Sequence, residues 1–173
     1  IQGHGKAMEL MYGNILLDCR NELEIIWKHP DHPWFMMKSI FDRVVIDVAN
    51  KRAMLIDLKT TGKPVSSFKQ SYKKFKYHRQ MALYEMGLRW YIENEGYNID
   101  EWTFDVYIVA TQTNGYGDTA VYAPAKADLT KGLADADKLL HRMKWHFDND
   151  KWDHPVEYYE NDGVIIINLD DED

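Results

Sequence analysis

Phe41–Gly62, FDRVVIDVANKRAMLIDLKTTG, contains two apolar strands joined by a short polar turn, with Asp42 on the first and Asp57-Leu58-Lys59 ending the second. Strand side chains alternate faces, so Asp57 and Lys59 share one face and Leu58 points to the other. A hairpin turning about Ala49-Asn50 sets Asp42 opposite Asp57. Two carboxylates then converge beside a lysine, a set able to hold Mg²⁺ and attack a phosphodiester.

Each residue type has a physical reason to be there. Mg²⁺ prefers oxygen ligands, keeps several waters and is usually held by one or two carboxylates plus substrate phosphate oxygens. A bound metal lowers the pKa of its water and neutralises charge on the phosphoryl oxygens. Lys59 lies roughly 7 Å along the strand face from Asp57, at about 3.3 Å per residue, within reach of an attacking water or a phosphate. For a general base, its pKa would have to fall far below about 10.4. D-x-K alone is common on solvated strand edges. The Asp on the partner strand, in matching register, separates this stretch from that ordinary case.

The charge pattern supports a polyanionic partner locally. The chain of 173 residues carries a formal net charge of −7, yet every charged residue from Lys59 to Arg79 is positive. Lys63, Lys69, Lys73, Lys74, Lys76 and Arg79 follow Lys59, interleaved with Tyr72, Phe75 and Tyr77. Such a patch neutralises phosphates and offers rings for base stacking. The acidic remainder repels DNA elsewhere and confines its approach. Thr60 and Thr61 offer hydroxyls or amides to phosphate, or simply end the strand as β-branched residues. His78 reads equally as a DNA contact or a hydrogen-bonded structural histidine.

Length and composition bound the remainder. Hydrophobic content of 45% with 28% charged residues fits one soluble globular domain over 1–173. No apolar run approaches the roughly 20 residues of a membrane span. A single cysteine, Cys19, excludes an internal disulfide and a four-cysteine iron–sulfur cluster, and fits a reducing cytoplasm.

In chain order the pattern predicts a helix from about Gly5 to Asp18, weakened at Gly13, and a strand over Glu22–Trp27. A proline-bounded turn over 28–33 precedes the hairpin, Trp34–Val48 with Ala53–Thr61. His29, Asp31 and His32 fall in that turn, and without cysteines nearby a turn is a better account of them than zinc. Ser66 or Ser67 is expected to cap one long helix with a core stripe of Ala82, Met86 and Trp90 beside Leu83 and Tyr91, closed at Gly96. Phe104–Ala110 and Thr119–Tyr122 read as a second hairpin around Asn114–Gly117, and Leu129–Phe147 as a last long helix. Gly163–Leu169 is expected as an edge strand before a mobile acidic tail, 170–173. Asp47 is expected to form a surface pair with Arg52 at the turn. The whole reads as an α/β fold with a central mixed sheet flanked by helices.

FDRVVID followed by MLIDLKTTG resembles the core of the PD-(D/E)XK (restriction-endonuclease-like) nucleases, in the branch of lambda exonuclease and the RecB nuclease domain. QMALY, residues 80–84, resembles the Q-x-x-x-Y motif that follows the lysine there. Glu22 in NELEIIW resembles the acidic residue preceding the metal-binding Asp in RecE-type exodeoxyribonuclease VIII and related phage proteins. The YHRQ sequence and WTFDVYIVATQT add to the likeness, which covers roughly Gly5 to Leu169. It implies Asp42, Asp57, the Leu58 carbonyl and Glu22 as ligands of Mg²⁺, with Mn²⁺ as a substitute. It also implies Lys59 acting on the water, Gln80 bonded to a phosphate or the lysine, and Tyr84 packed behind or touching DNA.

The family further implies an exonuclease acting 5′ to 3′ on duplex ends in recombination or repair. A ring-shaped homo-oligomer, contact with the single strand and a single-strand annealing partner go with it. The family's first helix, with its histidine, is expected to be missing; IQGHGKAMELM resembles the second, so that role does not pass to His4. Two alternatives stand beside this reading: a non-catalytic DNA-binding module, or an endonuclease of the same superfamily. A structural protein with a coincidental D-x-K is a further rival, and predicts no stabilisation by Mg²⁺ or Mn²⁺.

Overall fold

The computed structural model describes residues 4–13, 17–115 and 117–167. The chain divides into two compact units, 1–133 and 134–173. The first contains α1 (Gly5–Tyr12), β1 (Asp18–Lys28), β2 (Met36–Asp47), β3 (Arg52–Thr61), α2 (Phe68–Lys74), α3 (Tyr77–Asn94), β4 (Thr103–Gln112), β5 (Thr119–Tyr122) and the start of α4 (Lys126–Asn149). The second holds the rest of α4 and a short α5 (Val156–Glu160). Within that second unit, Arg142 meets Glu157 at 3.1 Å, and the Trp145 and Tyr159 rings lie 5.5 Å apart.

The first unit is an α/β core. Its five strands are ordered β1-β2-β3-β4-β5, antiparallel except for the parallel pair β3–β4. A parallel pair needs a long crossover, supplied here by α2 and α3. Strand β3 lies at the centre, and Ala53 through Asp57 form an unbroken buried run. Such a run is the mark of a strand covered on both faces.

Two apolar layers sandwich the sheet. Ile25, Trp27, Phe41, Val44, Leu55 and Ile108 pack with Met81, Leu88 and Ile92 of α3 on one face. Val45, Met54, Ile56 and Val109 pack with Ala7 and Leu10 of α1 on the other. Each large apolar side chain buried this way contributes about 1.5–3 kcal/mol.

Several local expectations are corrected. Helix α1 stops at Tyr12, with Gly13 as its C-cap, and β1 already begins at Asp18; residues 14–16 lie outside the described set. The long helix after the hairpin is two helices. Lys76 adopts a left-handed backbone (φ 53°) between α2 and α3, and nothing in SYKKFKYHR punctuates the break. Ser67 caps no amide; its hydroxyl donates to the Pro64 carbonyl at 2.8 Å.

The buried seam of α3 is Met81, Leu88, Tyr91 and Ile92 with Ala82, while Leu83, Met86 and Trp90 are only half-buried. Gly87 is the reason for this rotation: a Cβ there would lie 3.1 Å from the Trp27 indole, so the glycine admits the ring. Gly96 does end α3, donating to Glu93 while Tyr97 reaches Ile92, the paired bonds of a Schellman turn. Residues 164–167 are not a strand. The expected continuation through 168–169 and the tail 170–173 lie outside the described residues.

Candidate active site

The register of the hairpin brings its acidic groups together. Strand β2 pairs with β3 from Asp47↔Arg52 to Arg43↔Ile56, around a four-residue turn centred on Ala49-Asn50. The next step along this register sets Asp42 opposite Asp57. Ladder pairing stops there, and the Asp42 carboxylate takes its place: its Oδ2 accepts a hydrogen bond from the Leu58 amide at 2.6 Å. The amide and carbonyl of one strand residue point to the same edge. The Leu58 carbonyl is therefore directed toward Asp42 as well.

On the other side of β2, the pairs Asn21↔Arg43 and Leu23↔Phe41 bracket Glu22 opposite Asp42. Here both strands change parity. Phe41 and Val44 enter the same core layer although three residues apart, and Val45 enters the opposite one. Glu22 absorbs the change with a left-handed backbone, φ 50°, which is uncommon for a residue other than glycine and costs of order 1–3 kcal/mol. Arg43 fastens the irregularity: buried, it donates to the Leu10 carbonyl at 3.1 Å and to Asn21 Oδ1 at 2.8 Å. Glu22 itself is exposed.

Asp57 is the buried member, 3% exposed. Lys59 Nζ donates to its Oδ1 at 2.9 Å and lies 2.8 Å from Oδ2. Oδ2 is shut off from water. With three N–H donors, the Lys59 ammonium serves both oxygens of the carboxylate. Burial pushes the Asp57 pKa above the ordinary carboxylate range; Lys59 works against that shift and the nearby Asp42 charge adds to it. The Lys59 ammonium also sits over the Tyr77 ring at 5.1 Å from its centroid.

These observations fit a divalent cation. A buried carboxylate pressed by a second carboxylate is relieved by positive charge placed between them. Asp42, Asp57 and the Leu58 carbonyl supply the hard oxygen donors that Mg²⁺ or Mn²⁺ takes.

The remaining sequence candidates divide by position. Gln80 and Tyr84 ride on α3, both half-buried, and the Tyr84 ring packs edge-on against Phe41 at 5.2 Å, next to Asp42. His78 is buried, its ring 6.3 Å from Tyr72 and its carbonyl facing Gly132, where a Cβ would come within 2.3 Å. That environment favours its structural reading over a DNA contact. Tyr72 also turns inward, its buried hydroxyl pushed up to about 12 by desolvation. Thr60, Lys63, Lys69, Lys73 and Lys74 are exposed, while Lys76 and Arg79 are half-buried.

Asp47 does not pair with Arg52. It accepts from the Asn50 amide and side chain at 3.1 and 2.7 Å, and Arg52 meets Asp105 at 2.6 Å instead. His29 and His32 pack within their turn, rings 4.9 Å apart, with Trp27 and Trp34 on either side. His4 caps α1 by accepting the Ala7 amide at its Nδ1. Sequence reasoning did not find Arg43, because an arginine inside an apolar strand gives no hint that it reaches a helix 33 residues away.

Residues 35–160 match a family described as PDDEXK-like domain of unknown function (DUF3799). The chain belongs to this family. Its matched region contains Asp42, Asp57, Lys59, Gln80 and Tyr84, while Glu22 precedes it. Among solved structures, this PDDEXK-like chain is similar to a provisionally named exonuclease from Eubacterium rectale, with a TM-score of 0.58 at 12% identity. The alignment covers 95% of this chain and 57% of that one, so this chain spans little more than half that relative's length. A search of curated proteins finds no match. No helix among the described residues is long and apolar enough to cross a membrane.

Proposed function

We propose that this PDDEXK-like chain is a metal-dependent deoxyribonuclease, and that it is an exonuclease of the RecE/lambda type. The observation that carries the reading is Asp57: a buried carboxylate held between Asp42 and Lys59. Mg²⁺ held by Asp42, Asp57 and the Leu58 carbonyl, with Glu22 reaching in from β1, would supply a nucleophilic water and neutralise phosphoryl charge. Mn²⁺ has the same oxygen preference and is expected to substitute.

The chain's own residues do the rest. Asp57, buried beside a second carboxylate, is stabilised in its ionised form by a nearby cation. With that charge held by a metal, Lys59 would be released from Asp57, and its ammonium would orient the attacking water or meet the charge on phosphorus. The Tyr77 ring holds that ammonium near the site meanwhile. Gln80 bonds a phosphate or Lys59, and Tyr84 fixes Phe41 and therefore the strand carrying Asp42. Thr60, Lys63, Lys69, Lys73, Lys74, Lys76 and Arg79 lead the DNA backbone toward the metal.

Action on duplex ends, 5′-to-3′ polarity, a homo-oligomeric ring, an annealing-protein partner and a role in phage recombination or repair in the cytoplasm extend the same resemblance. The decisive test supplies Mg²⁺ with linear or circular duplex DNA to the chain and to its Lys59→Ala variant. Nucleotide release from linear DNA alone, abolished by the substitution, supports the exonuclease. Cleavage of circles favours the endonuclease, and binding without cleavage favours the non-catalytic module.

A further inference from the structure

The end of β3 opens into a groove of about 430 Å³ that also borders α2 and the break before α3. Thr60, Lys63, Ser71, Lys74, Phe75 and Tyr77 are among its walls. It begins one residue beyond Lys59, and among the described residues the charged side chains lining it are Lys63 and Lys74. Its size falls in the range of small-ligand pockets, roughly 300–1,000 Å³. That suits a nucleotide.

Phe75 is the unusual member. A large aromatic ring is ordinarily buried, yet this one is 58% exposed. The left-handed Lys76 turns the chain sharply beneath it, and a lysine is an expensive residue for that backbone. Phe75 also ends a row of rings running inward. It lies 5.7 Å from Tyr77, which stacks on Phe68 at 6.0 Å, which in turn stacks on Tyr122 at 5.1 Å. Tyr122 is anchored through its hydroxyl to the Val65 carbonyl. The outermost ring is thus rigidly backed, with the Lys74 ammonium 5.6 Å from its centroid. Tyr77, its neighbour in the row, carries the Lys59 ammonium on its own ring.

We propose that this groove is a subsite for single-stranded DNA, with Phe75 stacking on one unpaired base beside the scissile phosphate and Lys63 and Lys74 pairing with the adjoining phosphates. The inference rests on the nuclease reading and deepens it: the strand enters the site unpaired, so a blunt end has to fray before it is cut. A flat ring with cations beside it recognises any base, since every base offers a π-face. Phe75 is accordingly a specificity-determining residue for strandedness, with no part in the bond-breaking step.

The test uses a fluorescent thymidine oligonucleotide of about ten nucleotides, within the usual site size for a single strand, and a blunt duplex of equal length, both in EDTA. Wild-type chain is expected to bind the single strand more tightly than the duplex. Phe75→Ala should weaken single-strand binding about tenfold, given about 1–3 kcal/mol per stacked base, and leave duplex binding unchanged. Phe75→Trp should retain it. Thermal melting checks that each variant is folded, which the exposure of Phe75 favours. Failure of the wild type to prefer the single strand, or unchanged binding by Phe75→Ala, overturns the subsite. Adding Mg²⁺ to the same proteins separates the two readings. Absent cleavage with the stacking effect intact sinks the nuclease alone, and cleavage indifferent to Phe75 sinks the subsite alone.

Discussion

The two ends of the β2–β3 hairpin carry the same residue types in opposite circumstances. At the turn end, Asp47 is bonded to Asn50 and Arg52 to Asp105, these charged side chains half-buried and still reached by water, and the Asn50 hydrogen bonds hold the Asp47 pKa below its ordinary value. At the far end, Asp57 is buried against Lys59 and Asp42, and desolvation raises its pKa. One end lets its charges relax in water. The other withholds water from a carboxylate set beside a second acid, which is how a fold makes a cation welcome. Charge pairs near a strand terminus are therefore uninformative until their burial is known.

The comparison breaks most sharply on activity. Asp57→Ala or Lys59→Ala should lower Mg²⁺-dependent nucleotide release by about 10²-fold or more, whereas Asp47→Ala should leave it at the wild-type level. Release of labelled nucleotide from linear duplex measures this, and equal losses at both ends would refute the assignment. Next in size is metal-induced stabilisation. Mg²⁺ or Mn²⁺ at a hundred times its dissociation constant should stabilise the wild type by about 2.7 kcal/mol. The melting temperature should therefore rise for wild type and Asp47→Ala, and stay unchanged for Asp42→Ala and Asp57→Ala.

The pH dependence should then differ in sign. The folded pKa of Asp57 lies above its unfolded value near 3.8, so the native state binds more protons in that window. Its contribution to metal-free stability is present below that value and is lost as pH rises through the folded pKa. Asp57→Asn should remove this slope, while the metal-induced shift of the wild type grows over the same window as ions displace protons. Asp47 runs the other way. Its depressed pKa gives stability present above about 3.8 and lost as pH falls through the folded value. Denaturant melts across pH for the two Asn variants separate the contributions. The smallest effect belongs to Arg52→Ala, whose half-exposed, solvent-screened pair with Asp105 should cost about 1 kcal/mol in the same melts.

Much of this was legible because it is local. The turn at Ala49-Asn50, the shared face of Asp57 and Lys59, and the Asp42–Asp57 register follow from alternation within one hairpin. The helix stop at Gly96 followed from a glycine after an apolar stripe. The break at Lys76 was hidden because no glycine or proline marks it. The rotation of α3 was hidden too, because Gly87 serves Trp27 on a strand sixty residues earlier in the chain. Pairing Asp47 with Arg52 failed since a cross-strand neighbour lost to Asn50 within the turn and to Asp105 on β4.

By itself, the sequence determined which acids and which lysine share a hairpin, since side-chain period and turn chemistry act over a few residues. Only the tertiary structure decided that Asp57 is dry, that Glu22 bends opposite Asp42, and that Phe75 stands in the open. Desolvation, strand parity and exposure are set by neighbours that the chain brings in from afar.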